Sequence, residues 1–315
     1  MKTVDVIIPT YKPGKEFADL LKRLSEQSKE INQIIVMNTE KDYLDMSVFQ
    51  GLAAGFREKI QVFHVSKAEF DHGATRHAGT LHSKADYMVM MTQDAMPVDE
   101  KLVENLTTAL EQENVAVAYA RQLARLDSGI IEKTTRQFNY PENSHVKTME
   151  DLPRLGIKTY FCSNVCAAYK KEVYEKLGGF IKRTIFNEDM IYAATAAKAG
   201  YAIAYAADAL VYHSHDYTCM QQFHRNFDLG VSQGEHPEIF ANVPSASEGT
   251  KMVKSTVKIF LKEKRFATLV YFCFQCAYKY AGYLLGKHYK RLPKWVIMRC
   301  TMSPAYWKNG SKMQC

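Results

Sequence analysis

The sequence predicts an α/β protein, a sheet with a parallel run covered by helices and followed by a helical, basic tail. Three observations carry that reading. Short β-branched apolar runs alternate with longer helical patterns in the first half, the order that parallel strands with helical crossovers require. With 47% apolar residues, the 315-residue chain can bury a sizeable core as one large domain or two modest ones. The net charge of +7 is unevenly placed: residues 251–315 hold 14 Lys and Arg against the single acid Glu263, which leaves a mildly acidic body of −6.

Strands are expected at residues 5–8, 33–37, 61–65 and 87–91. Helices are expected at 16–27, where Phe17, Leu20, Leu21 and Leu24 fall at helical spacing, and at 103–111. In open sheets of this kind ligands bind beyond the carboxyl ends of the strands. That rule directs attention to Pro9-Thr10-Tyr11, Asn38-Thr39-Glu40, residues 70–76 and Thr92-Gln93-Asp94. Residues 127–158 are polar and irregular and read as a long loop or lid. Beyond them the pattern gives an apolar segment at 161–169 and a helix ending at Gly178-Gly179. An Ala-rich helix then runs to Lys198 with Gly200 as its C-cap, followed by two short strands at 202–205 and 210–212.

The character changes after about residue 241. Lys251, Lys254, Lys258 and Lys262 form one basic stripe on a helix, opposite Val253, Val257 and Phe260. The next run, 266–286, is apolar and aromatic but two-sided. Thr268, Gln275, Lys279 and Gly282 share one face, and Phe266, Val270, Cys273, Ala277, Tyr280 and Leu284 the other. That pattern predicts a helix lying in the headgroup layer of an anionic membrane rather than a span, because Lys279 inside a span is costly. A catalytic body separable from this tail is expected. Self-association is left open, and nucleic acid is not expected as a partner, since its binding surfaces combine stacking aromatics with a charged groove. The chain begins without a charged and apolar leader, and its seven cysteines lack the density of a secreted scaffold. Both point to a cytoplasmic protein with reduced thiols, peripheral on the inner face of the cell membrane.

Four segments carry chemistry. Phe70-Asp71-His72-Gly73-Ala74-Thr75-Arg76 reads as a flexible glycine turn that sets backbone amides and the Arg76 cation at a helix start, which suits a diphosphate. Asp94, at the end of a buried strand, needs a neutralising partner. Mg²⁺ or Mn²⁺ on a diphosphate would serve, unless Asp94 only caps the helix after Pro97. Asn187-Glu188-Asp189 opens a helix with two acids, a pattern that also serves simple capping. Strand alternation puts His213 and His215 on one side, as metal ligands, phosphate donors or core histidines.

Together these segments resemble the family 2 glycosyltransferases of the GT-A fold, and within them the rhamnosyltransferases. The strand ending Pro9-Thr10-Tyr11 is similar to the family start. Residues 70–76 and Thr92-Gln93-Asp94-Ala95 resemble the rhamnosyltransferase versions. Cys162-Ser163-Asn164-Val165-Cys166-Ala167-Ala168-Tyr169, Gly178-Gly179-Phe180 and Asn187-Glu188-Asp189 follow in the right order. The resemblance covers about residues 1–230. It implies a mixed central sheet in a Rossmann-like domain over 1–240, with a nucleotide-binding half at 1–98, an acceptor-binding half at 99–240 and a helical region at 241–315. It implies inverting transfer from dTDP-L-rhamnose to a lipid-linked saccharide, or, within the family, from a nucleotide sugar carrying N-acetylglucosamine, glucose or galactofuranose. Pro9, Thr10, Tyr11, Asn38, Asp71, His72, Gly73, Arg76, Gln93 and Asp94 would bind the nucleotide sugar. Asp94 and His213 would hold a divalent metal, and Asp189 would be the base. Ser163, Asn164, Phe180, Asn187, Glu188 and His215 would meet the acceptor. One departure is plain: where the family signature is Asp-x-Asp, Thr92 stands first and only Asp94 remains, which implies a weaker metal site.

Overall fold

Every expected strand of the first half is present in the structure, a computed structural model that describes residues 2–241, 243 and 246–309. Val4–Tyr11 (β1), Gln33–Thr39 (β2), Ile60–Val65 (β3) and Tyr87–Met91 (β4) lie parallel in the order β3-β2-β1-β4. Their sequences are apolar without a break because both faces are covered. Val4, Val6 and Ile8 enter one core with the Lys15–Ser25 and Leu102–Leu110 helices. Ile7 enters the other, against which the His72–His82 helix packs so closely that a Cβ on Gly79 would lie 2.6 Å from the Ile7 side chain.

The second half of the sheet is mixed. Met96–Pro97 (β5), Val115–Leu123 (β6), His145–Lys147 (β7), Cys166–Lys170 (β8) and Ala202–Tyr212 (β9) extend the order to β3-β2-β1-β4-β8-β6-β9-β5, with β7 pairing β9. β8 runs antiparallel between β4 and β6, and β6 runs parallel to β9. The two short strands expected at 202–205 and 210–212 are one strand, bent where its register with β6 shifts between Ala120 and Arg121.

The expectation of a long loop at 127–158 is overturned. This stretch holds the helix Ile130–Asn139, strand β7 and three short helical turns. Its polarity misleads because Lys147 is only 1% exposed: the ammonium donates to the carbonyls of Phe161 (2.6 Å) and Lys158 (3.0 Å) and to the Tyr119 hydroxyl (3.2 Å). Burial pushes its pKa down to about 7. The bonds pin the chain that leads into Ser163 and Asn164.

The tail packs against the rest of the chain. The helix Phe266–Lys287 lies along the helix Cys219–Glu235, and glycines set the approach. A Cβ on Gly282 would lie 2.2 Å from the Phe223 carbonyl oxygen, and one on Gly286 would lie 2.0 Å from that of Phe227. Phe227 and Val231 share a small core with Ile297 and Cys300, so the tail packs on the 219–235 helix. The two-sidedness read from the sequence is kept: Gln275 and Gly282 are buried, whereas Phe266, Val270, Phe274 and Tyr280 are each more than half exposed. On the preceding helix, Ala246–Lys262, the four stripe lysines are exposed and Phe260 is buried edge-on to Phe272. Among the described residues no helix is long and apolar enough to cross a membrane. The six described cysteines are unpaired, and Cys315 lies outside the described residues.

Candidate active site

Two strand ends far apart in the chain are brought together by the shortest strand of the sheet. Met96 pairs with Tyr212 and Pro97 with Val211, so the turn that precedes β5 meets the residues that follow β9. The Asp94 carboxylate lies 3.2 Å from His215 Nε2 and 3.6 Å from His213 Nε2. These three residues are the group among the described ones whose ligand atoms, all within 4.8 Å of one another, could hold a metal ion. Burial alone would raise the Asp94 carboxyl, but the hydrogen bond from His215 outweighs it and holds the group well below the usual carboxylate range. Burial pushes His213 down to about 3, so its ring is neutral. Gln122 on β6 fixes that ring, its Oε1 lying 3.1 Å from His213 Nδ1. With Nδ1 as the donor, Nε2 presents a lone pair toward Asp94, the arrangement a metal-ligating histidine takes.

The same cavity, about 370 Å³, has a second wall built on the start of the helix Glu188–Lys198. Asn187 holds a left-handed φ of 67° there, its amide donating to Ser232, which turns Glu188 and Asp189 inward. Glu188 pairs with Arg76 at 3.1 Å, both nearly buried, and accepts from the Asn164 amide at 3.1 Å. Burial would raise the Glu188 carboxyl, but the Arg76 cation and the hydrogen bond from the Asn164 amide outweigh it and keep it ionised. Asp189 accepts from the backbone amides of Asn164 (2.9 Å) and Met190 (2.8 Å). Burial and the adjacent Glu188 charge nevertheless push its carboxyl up to about 7. A carboxylate poised near neutrality suits a general base. Burial holds His72, beside this pair, down at about 4.

His72, Arg76, Asp94, Ser163, Asn164, Asn187, Glu188, Asp189, His213 and His215 thus line one cavity. Other expected residues lie elsewhere. The flexible glycine turn is absent: Asp71 caps the 72–82 helix, its Oδ1 accepting from the Gly73 and Ala74 amides and its Oδ2 from the Thr184 amide. A Cβ on Gly73 would lie 2.0 Å from the Ile181 carbonyl oxygen, so this glycine admits the 181–184 segment rather than a phosphate. Phe180 is 1% exposed among Tyr169, Tyr174 and Tyr192 and cannot meet an acceptor. Thr10 and Asn38 are buried and bonded to each other at 3.1 Å, beneath the surface that Pro9 and Tyr11 present. Gln93 clamps the Tyr11 backbone, accepting from its N–H and donating to its carbonyl. The exposed Tyr11 ring sits edge-on to Tyr43, with Lys12 and Lys67 over the pair.

Set against known sequences, residues 5–178 match the profile of glycosyl transferase family 2. The chain is a family 2 glycosyltransferase. This transferase is 35% identical over 312 residues to the O-antigen chain rhamnosyltransferase RfbN of Salmonella typhimurium, covering 97% of the chain and 96% of that protein. It is also 35% identical to the O-antigen chain rhamnosyltransferase WbaN of Salmonella anatum, covering 98% and 97%. Among solved structures it is similar to the mannosyltransferase PcManGT from Pyrobaculum calidifontis in complex with GDP-Man and Mn²⁺, with a TM-score of 0.60 at 14% identity, covering 92% of this chain and 88% of that one. It is also similar to S. aureus TarS 1-349 in complex with UDP-GlcNAc, with a TM-score of 0.50 at 14% identity, covering 92% and 91%. These likenesses place the transferase in the GT-A fold.

Sequence reasoning missed Gln122, Arg136 and Arg225, which also line the cavity. Arg136 lies in the stretch read as a loop. Arg225 rides on the 219–235 helix, whose start carries a signal that was there to be read: Thr218 and Gln221 form a capping box. Its guanidinium stands 4.7 Å from the Phe186 ring centroid and makes no ion pair with a described residue.

Proposed function

We propose that this enzyme transfers L-rhamnose from dTDP-L-rhamnose, with inversion, to a hydroxyl of a saccharide acceptor in cell-surface polysaccharide synthesis. The observation that carries the proposal is one cavity with a base poised near pH 7 on one wall and the Asp94–His213–His215 group on the other. The near full-length similarity to two O-antigen rhamnosyltransferases supports rhamnose as the sugar.

In this reading Asp189 takes the proton of the acceptor hydroxyl as that oxygen bonds to the anomeric carbon. The bond from that carbon to the diphosphate breaks on the opposite side, and dTDP leaves. The carboxylate and two imidazoles fit Mn²⁺ or Mg²⁺ as a donor set, and the bound ion would take up charge developing on the diphosphate. Arg76 is neutralised by Glu188, so Arg225, which makes no ion pair with a described residue, is a cation left to meet the departing charge. Tyr11 and Tyr43, with their lysines, form the surface for the base of the donor. Ser163, Asn164 and Asn187 line the acceptor side, where the Gln122 amide donates to Ser163 Oγ at 2.9 Å and orients it. The exposed apolar face of the 266–287 helix, flanked by basic residues, supports a peripheral position on an anionic membrane at the cytoplasmic side, where a lipid-linked acceptor would be met.

The test is a panel of dTDP-, UDP- and GDP-sugars assayed for thermal stabilisation and for donor hydrolysis. dTDP-L-rhamnose is expected to lead both, and preference for another donor refutes the assignment. Asp189→Asn is expected to keep donor binding and lower turnover by about 10²-fold or more; turnover within a few-fold of the parent would move the base elsewhere.

A further inference from the structure

A second cavity, about 250 Å³, opens beside the first, and His215 and Tyr217 line both. Its far wall is the inward face of the 266–287 helix, where Thr268, Gln275 and Lys279 interrupt the apolar run. The near wall includes Glu132 of the 130–139 helix and Gln222 of the 219–235 helix.

Several of these groups already have partners. The Asp216 carboxylate accepts the Gly129 amide, Glu132 pairs with Arg136, and the Gln275 amide donates to the Tyr217 carbonyl at 3.2 Å. Others do not. Gln222 is 9% exposed, yet its side-chain amide makes no hydrogen bond to a described residue. Lys279, half-buried, makes no ion pair with one. Both side chains line the cavity, and their polar ends are left to bond whatever enters it. Amide, carboxylate and ammonium side chains between tyrosine rings match a sugar ring, whose hydroxyls donate and accept around its edge while its C–H face packs on an aromatic.

We propose that this cavity is an acceptor subsite for the saccharide residue next to the one that receives the transferred sugar, so that the preferred acceptor is at least a disaccharide. The proposal rests on the transferase reading above and deepens it. It also accounts for the polar interruptions of the tail helix: one face of that helix reads the acceptor while the other stays apolar. The opening is shared through His215 and Tyr217, so a saccharide seated in the first cavity can extend into the second.

The test measures transfer to a panel of monosaccharide glycosides and to the same glycosides extended by one hexose, with hydrolysis of dTDP-L-rhamnose alone as the control. For the parent enzyme, extension is expected to lower KM by about tenfold or more, the equivalent of one or two well-made hydrogen bonds. Gln222→Ala is expected to raise KM for the disaccharide toward that of the monosaccharide, with kcat, monosaccharide KM and donor hydrolysis kept. If Gln222→Ala fails to fold, Lys279→Met on the more open wall reads the same split. Equal KM for short and extended acceptors in the parent overturns the subsite. So does an equal loss on both in the variants, which would mark a merely structural role. If no saccharide accepts while donor hydrolysis persists, the saccharide-acceptor reading itself falls, and the subsite with it.

Discussion

Lowering the pH should silence this enzyme well before it unfolds a typical carboxylate-dependent site. The Asp189 carboxyl, raised by burial and by Glu188, titrates at about 7. A general base must be ionised, so kcat/KM should rise with pH through that value and level off above it. With that midpoint, about a tenth of the base is ionised at pH 6 and about a hundredth at pH 5, so kcat/KM should fall about tenfold and about a hundredfold. An unperturbed aspartate, near 3.9, would keep about nine-tenths of its activity at pH 5. The assay is the pH profile of kcat/KM at saturating Mn²⁺. Glu188→Gln removes the like charge and leaves the Arg76 cation without its partner, and both changes favour the ionised form of Asp189. The acid limb should therefore move to lower pH in that variant. A limb due to metal release would instead move with Mn²⁺ concentration. An acid limb below pH 5 in the parent, or one that Glu188→Gln leaves in place, refutes the assignment of the base.

Asp94→Ala should weaken donor binding and abolish the response of turnover to Mn²⁺ or Mg²⁺; equal parent activity with and without chelator would remove the ion from the reaction. Gly286→Ala would place a methyl 2.0 Å from the Phe227 carbonyl oxygen, so the two helices must part by more than 1 Å to restore contact. A cost of about 1–3 kcal/mol should appear as a lowered Tm, and an unchanged Tm would contradict the close crossing. Charge reversal of Lys254, Lys258 and Lys262 should release the protein only partly from anionic liposomes, because the apolar term survives salt and charge changes. Val270→Glu with Phe274→Glu should release the rest, and failure of the parent to sediment with anionic liposomes at low salt would refute membrane docking.

The parallel half of the fold was legible because continuous apolar strands and amphipathic helices leave strong local periodicities. Tyr87–Met91 is read from the sequence with both ends in place. β6 escaped because its Val and Ala residues follow the 102–110 helix after only a short turn. Lys147 hid the 145–160 region for another reason: a buried lysine satisfied by backbone carbonyls has the composition of a loop and the environment of a core. In the site, Asp94 was found as a residue after a strand, Asp189 as an acid opening a helix, and His213 and His215 by strand alternation, and all four line the cavity. Gln122 and Arg225 were not, because they act across the fold and no local pattern marks them. Asp71 and Gly73 show the reverse case, a motif that suits a phosphate in isolation yet has its amides taken by the Asp71 carboxylate and its open space by the 181–184 segment.

The two-rung pairing of β5 with β9 would give an ion held by Asp94, His213 and His215 more than a chemical role. One rung is Pro97, which has no N–H to donate, so this ladder is weak on its own. A cation gripped by Asp94 on one side and by His213 and His215 on the other would act as a reversible staple. It would close a chain loop on the order of a hundred residues, much as a disulfide does. The ion would then have a mechanical duty beside its electrostatic one, holding the nucleotide end of the sheet in register with the strand that leads into the histidines. Chelation should accordingly loosen the β5–β9 junction first, exposing its amides to exchange while the parallel strands β1 to β4 stay protected.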